Sequence, residues 1–243
     1  DWSSDVCSSD LQSHLTMNKS TPFNRVRIWD LPTRLFHWTL AVCVLGLIVT
    51  GKIGEAQLDL HARFGYAVLA LISFRILWGL LGGRWSRFSQ FVPSPARLWA
   101  YARGRWDAPA GHNPLGALSV LGMLGVFTAQ VCTGLIIDDE ISFTGPLYAL
   151  APSNWVSVAS HYHKSLGQAL VISLVVLHLV AIIWHTIKHR RRLVQAMVTG
   201  DQEVGTEVTP SRDDLGSRLG ALMLFAACLA GTWALISLGS PSS

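Results

Sequence analysis

Five stretches of this chain are almost wholly apolar and each is about 20 residues long. They lie near residues 34–53, 62–82, 115–137, 162–187 and 217–238. That is the length an α-helix needs to cross a hydrocarbon core about 30 Å thick. Within that core every backbone N–H and C=O must find its partner inside the protein, so apolar stretches of this length read as spanning helices. The first runs from just after Pro32 to Gly51-Lys52, and the third opens at Pro114, a residue tolerated at the start of a helix. Half the residues are hydrophobic and 14% are charged, which excludes a disordered chain and a soluble disulfide scaffold. The expected fold is an all-α integral membrane protein, a four-helix bundle plus a fifth C-terminal transmembrane helix.

The distribution of charge supplies an orientation. Lys19, Arg25, Arg27 and Arg34 precede the first stretch, and Arg84, Arg87, Arg97, Arg103 and Arg105 separate the second from the third. Lys188, Arg190, Arg191, Arg192, Arg212 and Arg218 follow the fourth. The alternate loops hold Lys52 with Glu55 and Asp59, then Asp138, Asp139 and Glu140. Basic loops stay inside, so the N-terminus is expected in the cytoplasm and the C-terminus, after five crossings, in the periplasm. The net charge of +4 therefore reflects topology and does not argue for nucleic acid.

The expected segments follow. Residues 1–16 resemble a translated sequencing adapter and lack the basic start and apolar core of a signal peptide, so they read as a non-native or disordered leader before Met17. Residues 17–33 form a cytoplasmic N-terminal segment, 34–198 the four-span domain, 199–216 a solvated cytoplasmic linker and 217–238 the last span. Residues 138–160 form an outer loop with one short surface helix. Cys7, Cys43, Cys132 and Cys228 show neither CxxC nor CxxCH spacing and read as small hydrophobes.

Four histidines fall in or at the edge of the apolar stretches: His37, His61, His163 and His178. Ionisable groups there are costly and functional by default. His163 and His178 are 15 residues apart, about 22 Å of helix rise with a net rotation of about 60°. They share one side of a helix at two depths. His161 lies about 100° from the face of His178 and is the weaker candidate. His37 lies 14 residues inward of Gly51, level with His178, and His61 opens the second stretch level with His163. Two pairs result, His61 with His163 and, deeper, His37 with His178. Gly65 and Gly167 each follow a histidine of the first pair by four residues, leaving bare backbone one turn below it. A flat macrocycle needs such a patch, although glycine also serves helix packing.

Paired imidazoles suit haem iron, zinc or copper. Zinc sites usually take four clustered protein ligands, whereas each level here offers two. Bis-imidazole haem fits, because the porphyrin supplies the other four. A transition-metal transporter using intramembrane histidines and a non-redox haem-handling subunit are the alternatives.

The segments VRIWDLPTRLFHW, LHARFGYAVLALISFRILWG and YHKSLGQALVISLVVLH resemble the bacterial cytochrome b561 and nickel-hydrogenase b-type cytochrome group over residues 25–200. The resemblance implies a four-helix transmembrane di-haem bundle in the bacterial inner membrane. It implies two haems b on His37, His61, His163 and His178, and electron transfer in a respiratory chain. The partners it implies are quinone, as a possible substrate, and a cytochrome c or a dehydrogenase- or hydrogenase-type subunit. The resemblance implies an electron carrier subunit within a quinone-linked oxidoreductase.

Other residues carry weaker expectations. Arg75 sits at the depth of the deeper pair and reads as a propionate partner or as a snorkelling cation. Gln130 reads as a quinone contact or an interhelical hydrogen bond. Asp138-Asp139-Glu140 reads as a docking patch or a plain loop, and His185 with His189 as a surface metal pair or a solvated basic face. Trp29, Trp38, Trp78, Trp85 and Trp155 read as boundary anchors. Ala226/Ala230 and Ala227/Gly231 read as a helix contact, and His14 and His112 as bystanders.

Overall fold

The protein is seen in a computed structural model that describes residues 24–105, 110–141, 143–190, 192–205 and 207–239. The expectations for residues 1–16, with Cys7 and His14, lie outside the described residues. Strand β1 (Asn24–Arg27) leads into helix α1 (Leu31–Ile53). Asp30 caps α1, its Oδ1 accepting the Thr33 N–H at 2.8 Å, with Pro32 in the first turn. A 3-10 turn, Glu55–Gln57, joins it to α2 (Leu58–Leu81). Helical turns at Arg84–Ser86 and Phe88–Phe91 precede the short α3 (Pro95–Ala102). Asn113 caps α4 (Pro114–Leu135) by accepting the Gly116 N–H. Helix α5 (Ser153–His161) passes through a π-helical turn, Tyr162–Gly167, into α6 (Gln168–His189). Helix α7 (Leu193–Thr199), strand β2 (Asp201–Val204) and α8 (Leu215–Ser237) complete the chain.

Five helical rods are long and apolar enough to cross a membrane, namely α1, α2, α4, the continuous α5–α6 and α8. The fourth rod begins at Ser153, earlier than residue 162, because no breaker follows Pro152 and Trp155, Val156 and Val158 keep the segment apolar. Cys43 and Val44 of α1, Val68, Leu71 and Ile72 of α2, and Phe127 of α4 form the main core. Helix α8 lies against α2, with Ala221 and Cys228 on Phe74 and Trp78. Its buried positions are Ala221, Cys228 and Thr232, while Ala226, Ala227, Ala230 and Gly231 are exposed. The small-residue spacing read as a helix contact therefore faces away from the bundle.

The end that holds the N-terminal strand (the strand end, below) is sealed by a cap that hydropathy did not show. Residues 199–216 read as a linker, yet they carry β2, paired antiparallel with β1 from Asn24↔Val204 to Arg27↔Asp201. Ile28, Trp29, Ala110, Ala196 and Val204 form a second small core there. Trp29 and Trp78 are buried, at 7% and 5% exposure, and do not sit at a lipid boundary as anchors do. Trp38 and Trp85 donate to the Met197 and Thr209 carbonyls, and Trp155 is exposed.

Asp213 ties the cap to α1 and α8. It accepts from Arg27 at 2.9 Å, from the Leu31 N–H at 3.1 Å and from Arg218 at 3.0 Å. Burial pushes its carboxyl up, but the Arg218 and Leu31 hydrogen bonds, the Arg218 charge and the Arg27 hydrogen bond outweigh that and hold it below the usual carboxylate range. A depressed carboxyl stabilises the fold above its ordinary pKa, and that contribution is lost as pH falls through the folded value. Asp213→Asn is expected to cost about 1.5–3 kcal/mol, the worth of a charged hydrogen-bond set. Thermal melts should show this near neutral pH, and the deficit should shrink below about pH 4. A deficit that persists undiminished at low pH would contradict the assignment.

Candidate functional site

The four histidines converge from three helices in two pairs. His61, on the first turn of α2, and His163, within the π turn, have ring centroids 6.2 Å apart. His37 of α1 and His178 of α6 stand at 6.3 Å. A metal–imidazole bond is about 2.0 Å, and a ring centroid lies roughly 1.1 Å from its nitrogen. Two imidazole centroids on opposite sides of one ion are then about 6.2 Å apart. Both separations match that span. His161 is exposed and outside both pairs.

The hydrogen bonds of the first pair fix which nitrogen is free. His163 Nδ1 meets the Gln130 carbonyl at 2.9 Å, and a carbonyl only accepts, so Nδ1 carries the proton. Its Nε2 then keeps an open lone pair. His61 Nδ1 lies 3.1 Å from Thr50 Oγ1, whose own hydroxyl donates to the Gly46 carbonyl at 2.7 Å. The Thr50 oxygen thus accepts from Nδ1, and Nε2 is free again. This is the outer-shell pattern that orients imidazoles toward a metal. Thr133 Oγ1 also lies 3.4 Å from His163 Nδ1.

An internal echo underlies this geometry. Thr50-Gly51 near the end of α1 serves His61, and Thr133-Gly134 near the end of α4 serves His163. A Cβ on Gly51 would stand 3.2 Å from His61 Cε1, and one on Gly134 would stand 2.9 Å from His163 Cε1. Each glycine lets an imidazole settle against the neighbouring helix. The repeated Thr-Gly was visible in the sequence, but its role depends on which helices are adjacent.

The glycines four residues after each histidine are not equivalent. A Cβ at Gly65 would meet nothing within 4 Å, so bare backbone faces open space there. Gly167 is buried, and a Cβ would collide with Gln130 Oε1 and the Tyr162 ring. A π turn rotates less per residue than an α turn, so i,i+4 reasoning does not carry across Tyr162–Gly167. Gln130 donates its amide to the His163 carbonyl at 3.0 Å, which makes it an interhelical link.

Arg75 is 5% exposed and sits beneath the strand-end cap. Its guanidinium donates to the Ser86 carbonyl at 3.1 Å and lies over the Phe88 and Phe91 rings. Asp30, wholly buried, accepts from Ser86 Oγ at 2.8 Å and from Trp78 Nε1 at 3.4 Å, and Thr33 bonds Ser86 in turn. Nothing in the linear sequence marks this Asp30–Ser86–Trp78 network, because its members come from three separate segments.

His112, read as a bystander, is the larger omission. It lies edge-on to Trp29 with centroids 4.7 Å apart, and 5.0 Å from Phe91. Burial pushes its pKa down to about 3, and the Arg75, His178 and His37 side chains push the same way. It is therefore neutral, and it stands within electrostatic reach of the deeper pair. The polar run Gly111-His112-Asn113 hid this, since only the folded cap brings it inward.

At the opposite end, Asp138 and Asp139 accept backbone N–H groups of Glu140, Ile141 and Phe143, folding the loop on itself. Cys43, Cys132 and Cys228 are free thiols. No group of three or more His, Cys, Asp or Glu that could hold a metal ion occurs among the described residues. Each level offers two imidazoles, the donor set that suits an ion whose remaining ligands come from a planar macrocycle.

A family model described as prokaryotic cytochrome b561 matches residues 28–200. A probable Ni/Fe-hydrogenase 1 B-type cytochrome subunit of Escherichia coli K12 is 24% identical, over 71% of this chain and 88% of that relative. Probable Ni/Fe-hydrogenase B-type cytochrome subunits of Cupriavidus necator and Bradyrhizobium diazoefficiens are 26% and 23% identical, over 71% and 73% of this chain and 85% and 86% of their own lengths.

The glycine contrast gives a test. Gly167→Ala should destabilise the fold by about 1–3 kcal/mol, the usual cost of overpacking, whereas Gly65→Ala should leave the melting temperature unchanged. Equal melting temperatures for the two variants would contradict the packing described.

Proposed function

The chain belongs to the prokaryotic cytochrome b561 family, and from that premise we propose that it is a transmembrane di-haem b-type cytochrome. It carries electrons between the quinone pool and a hydrogenase-type redox partner. The observation that carries the reading is the pair of imidazole couples, 6.2 and 6.3 Å across, at two levels of one bundle. Haem b held there supplies a one-electron iron couple.

The residues have separate tasks. His61 and His163 present Nε2 while Thr50 and the Gln130 carbonyl hold their Nδ1 protons. His37 and His178 would hold the second ring deeper in the bundle, their imidazoles 6.3 Å apart. With haem bound, the two imidazoles at each level would hold its iron between them, an arrangement that suits electron passage and disfavours substrate chemistry at the metal. The open space beside Gly65 leaves room for a planar ring against α2. The names of the relatives support a hydrogenase-type partner, and the basic strand end supports a cytoplasmic N-terminus. The bacterial inner membrane is the location this implies.

The test is an absorption spectrum of the purified protein, oxidised and then reduced, with haem counted per chain. Two low-spin b-type haems are expected. His163→Ala and His178→Ala should each lose one, a different one, and His161→Ala should lose none. Gly65→Leu should empty the His61/His163 level with little effect on the other. Absence of low-spin b-type bands would remove the reading, and loss of haem in His161→Ala would displace His163 as ligand. Addition of a quinol should reduce the haems, and failure to do so would remove quinone from the scheme.

A further inference from the structure

His112 lies outside the helices that carry the deeper histidine pair and within electrostatic reach of it. It precedes α4 by two positions and is held between the Trp29 and Phe91 rings. Its Nδ1 is buried and has no hydrogen-bond partner among the described residues. A buried imidazole nitrogen without a partner is costly, and such groups in a folded protein call for an explanation. Two other buried, unpartnered nitrogens belong to the same end, His37 Nδ1 and Arg34 Nε, one helical turn before His37.

The surroundings specify the missing partner. Arg75 is buried nearby, its guanidinium over the Phe91 ring that His112 also meets, and Arg34 brings a second guanidinium to this end. Asp30 is the buried carboxylate of this network, and it already accepts from Thr33, Ser86 and Trp78. With the His112 proton on Nδ1, the site has a donor and two guanidiniums beside a single buried carboxylate whose hydrogen bonds are already made. An anionic oxygen acceptor would balance both deficits, whereas a neutral quinone carbonyl would leave the charge uncompensated.

Resting on the di-haem reading above, we propose that His112 is a positioning residue of the deeper site. Its Nδ1–H donates to a propionate carboxylate of the haem held between His37 and His178. The Gly111 N–H donates to Gln202 Oε1 of β2 at 3.0 Å, so the strand pair fixes the backbone that aims His112. The cap thereby becomes part of the site and not only a plug.

The experiment is a redox titration of the holoprotein in a His163→Ala background, where the deeper haem titrates alone, with His112→Ala and His112→Asn added in turn. Asn places an amide N–H near the position of Nδ1–H. Loss of the donor leaves the carboxylate more negative and disfavours the reduced haem. In His112→Ala the reduction equilibrium should fall about tenfold, about 59 mV for a one-electron couple, with most of the loss recovered in His112→Asn. Loss of the deeper haem in His112→Ala with its return in His112→Asn would also support the role. An unchanged potential in His112→Ala overturns it, as does loss of haem from both variants. Slower reduction by quinol at unchanged potential assigns His112 to quinone and overturns it equally. A parent protein without two b-type haems defeats the di-haem reading itself, which the haem count reports separately.

Discussion

An imidazole in a low-dielectric interior must dispose of two nitrogens, and how it does so governs this molecule. One nitrogen can be satisfied by the protein, and the other is then left as a lone pair in a place where water is scarce. At His163 the Gln130 carbonyl accepts the Nδ1–H hydrogen bond, and at His61 the Thr50 hydroxyl oxygen does so. These choices commit Nε2 to face across the bundle. The approach of the helices follows from them: α4 can come close to His163 because Gly134 has no Cβ, and α1 to His61 because Gly51 has none. The π turn at Tyr162–Gly167 belongs to the same arrangement, since it brings His163 against α4 while α6 continues toward His178.

The two ends of the bundle solve different problems. The end near the Asp138 loop needs little more than a turn whose carboxylates accept its own backbone N–H groups. The strand end holds buried charge, with Asp30 and Arg75 both nearly inaccessible. Burying a carboxylate and a guanidinium is tolerable only if each keeps its hydrogen bonds. Ser86 serves both, donating to Asp30 through its hydroxyl and accepting from Arg75 through its carbonyl. Helix α8 contributes to this end by covering Trp78 and Phe74 of α2. The last helix is therefore a structural part of the bundle.

Much of this was readable from residues alone, and the limits have physical causes. Helix positions followed from hydropathy, because a hydrocarbon solvent leaves backbone groups few alternatives. The neighbours of His37 and His61 followed from rise per residue, which depends only on depth. Rotation was less dependable, since the π turn breaks the α-helical phase between His163 and Gly167. His112, Asp30 and strand β2 were not legible because polar composition describes what a segment is made of and not what it lies against. The Thr-Gly echo was legible as a pattern, but its meaning required knowing that α1 neighbours α2 and α4 neighbours α6.

The β1–β2 pairing joins residues 180 positions apart, Asn24 with Val204. Strand β1 leaves the ribosome first of all the described elements, and β2 emerges only after the fourth membrane rod. At about 5–20 residues per second, the intervening chain takes roughly 10–40 s to synthesise. Through that interval the strand pair is absent, and Gly111 has no Gln202 to hold it. Completion of the strand pair therefore waits on four membrane rods, and the backbone that carries His112 is tied down only then.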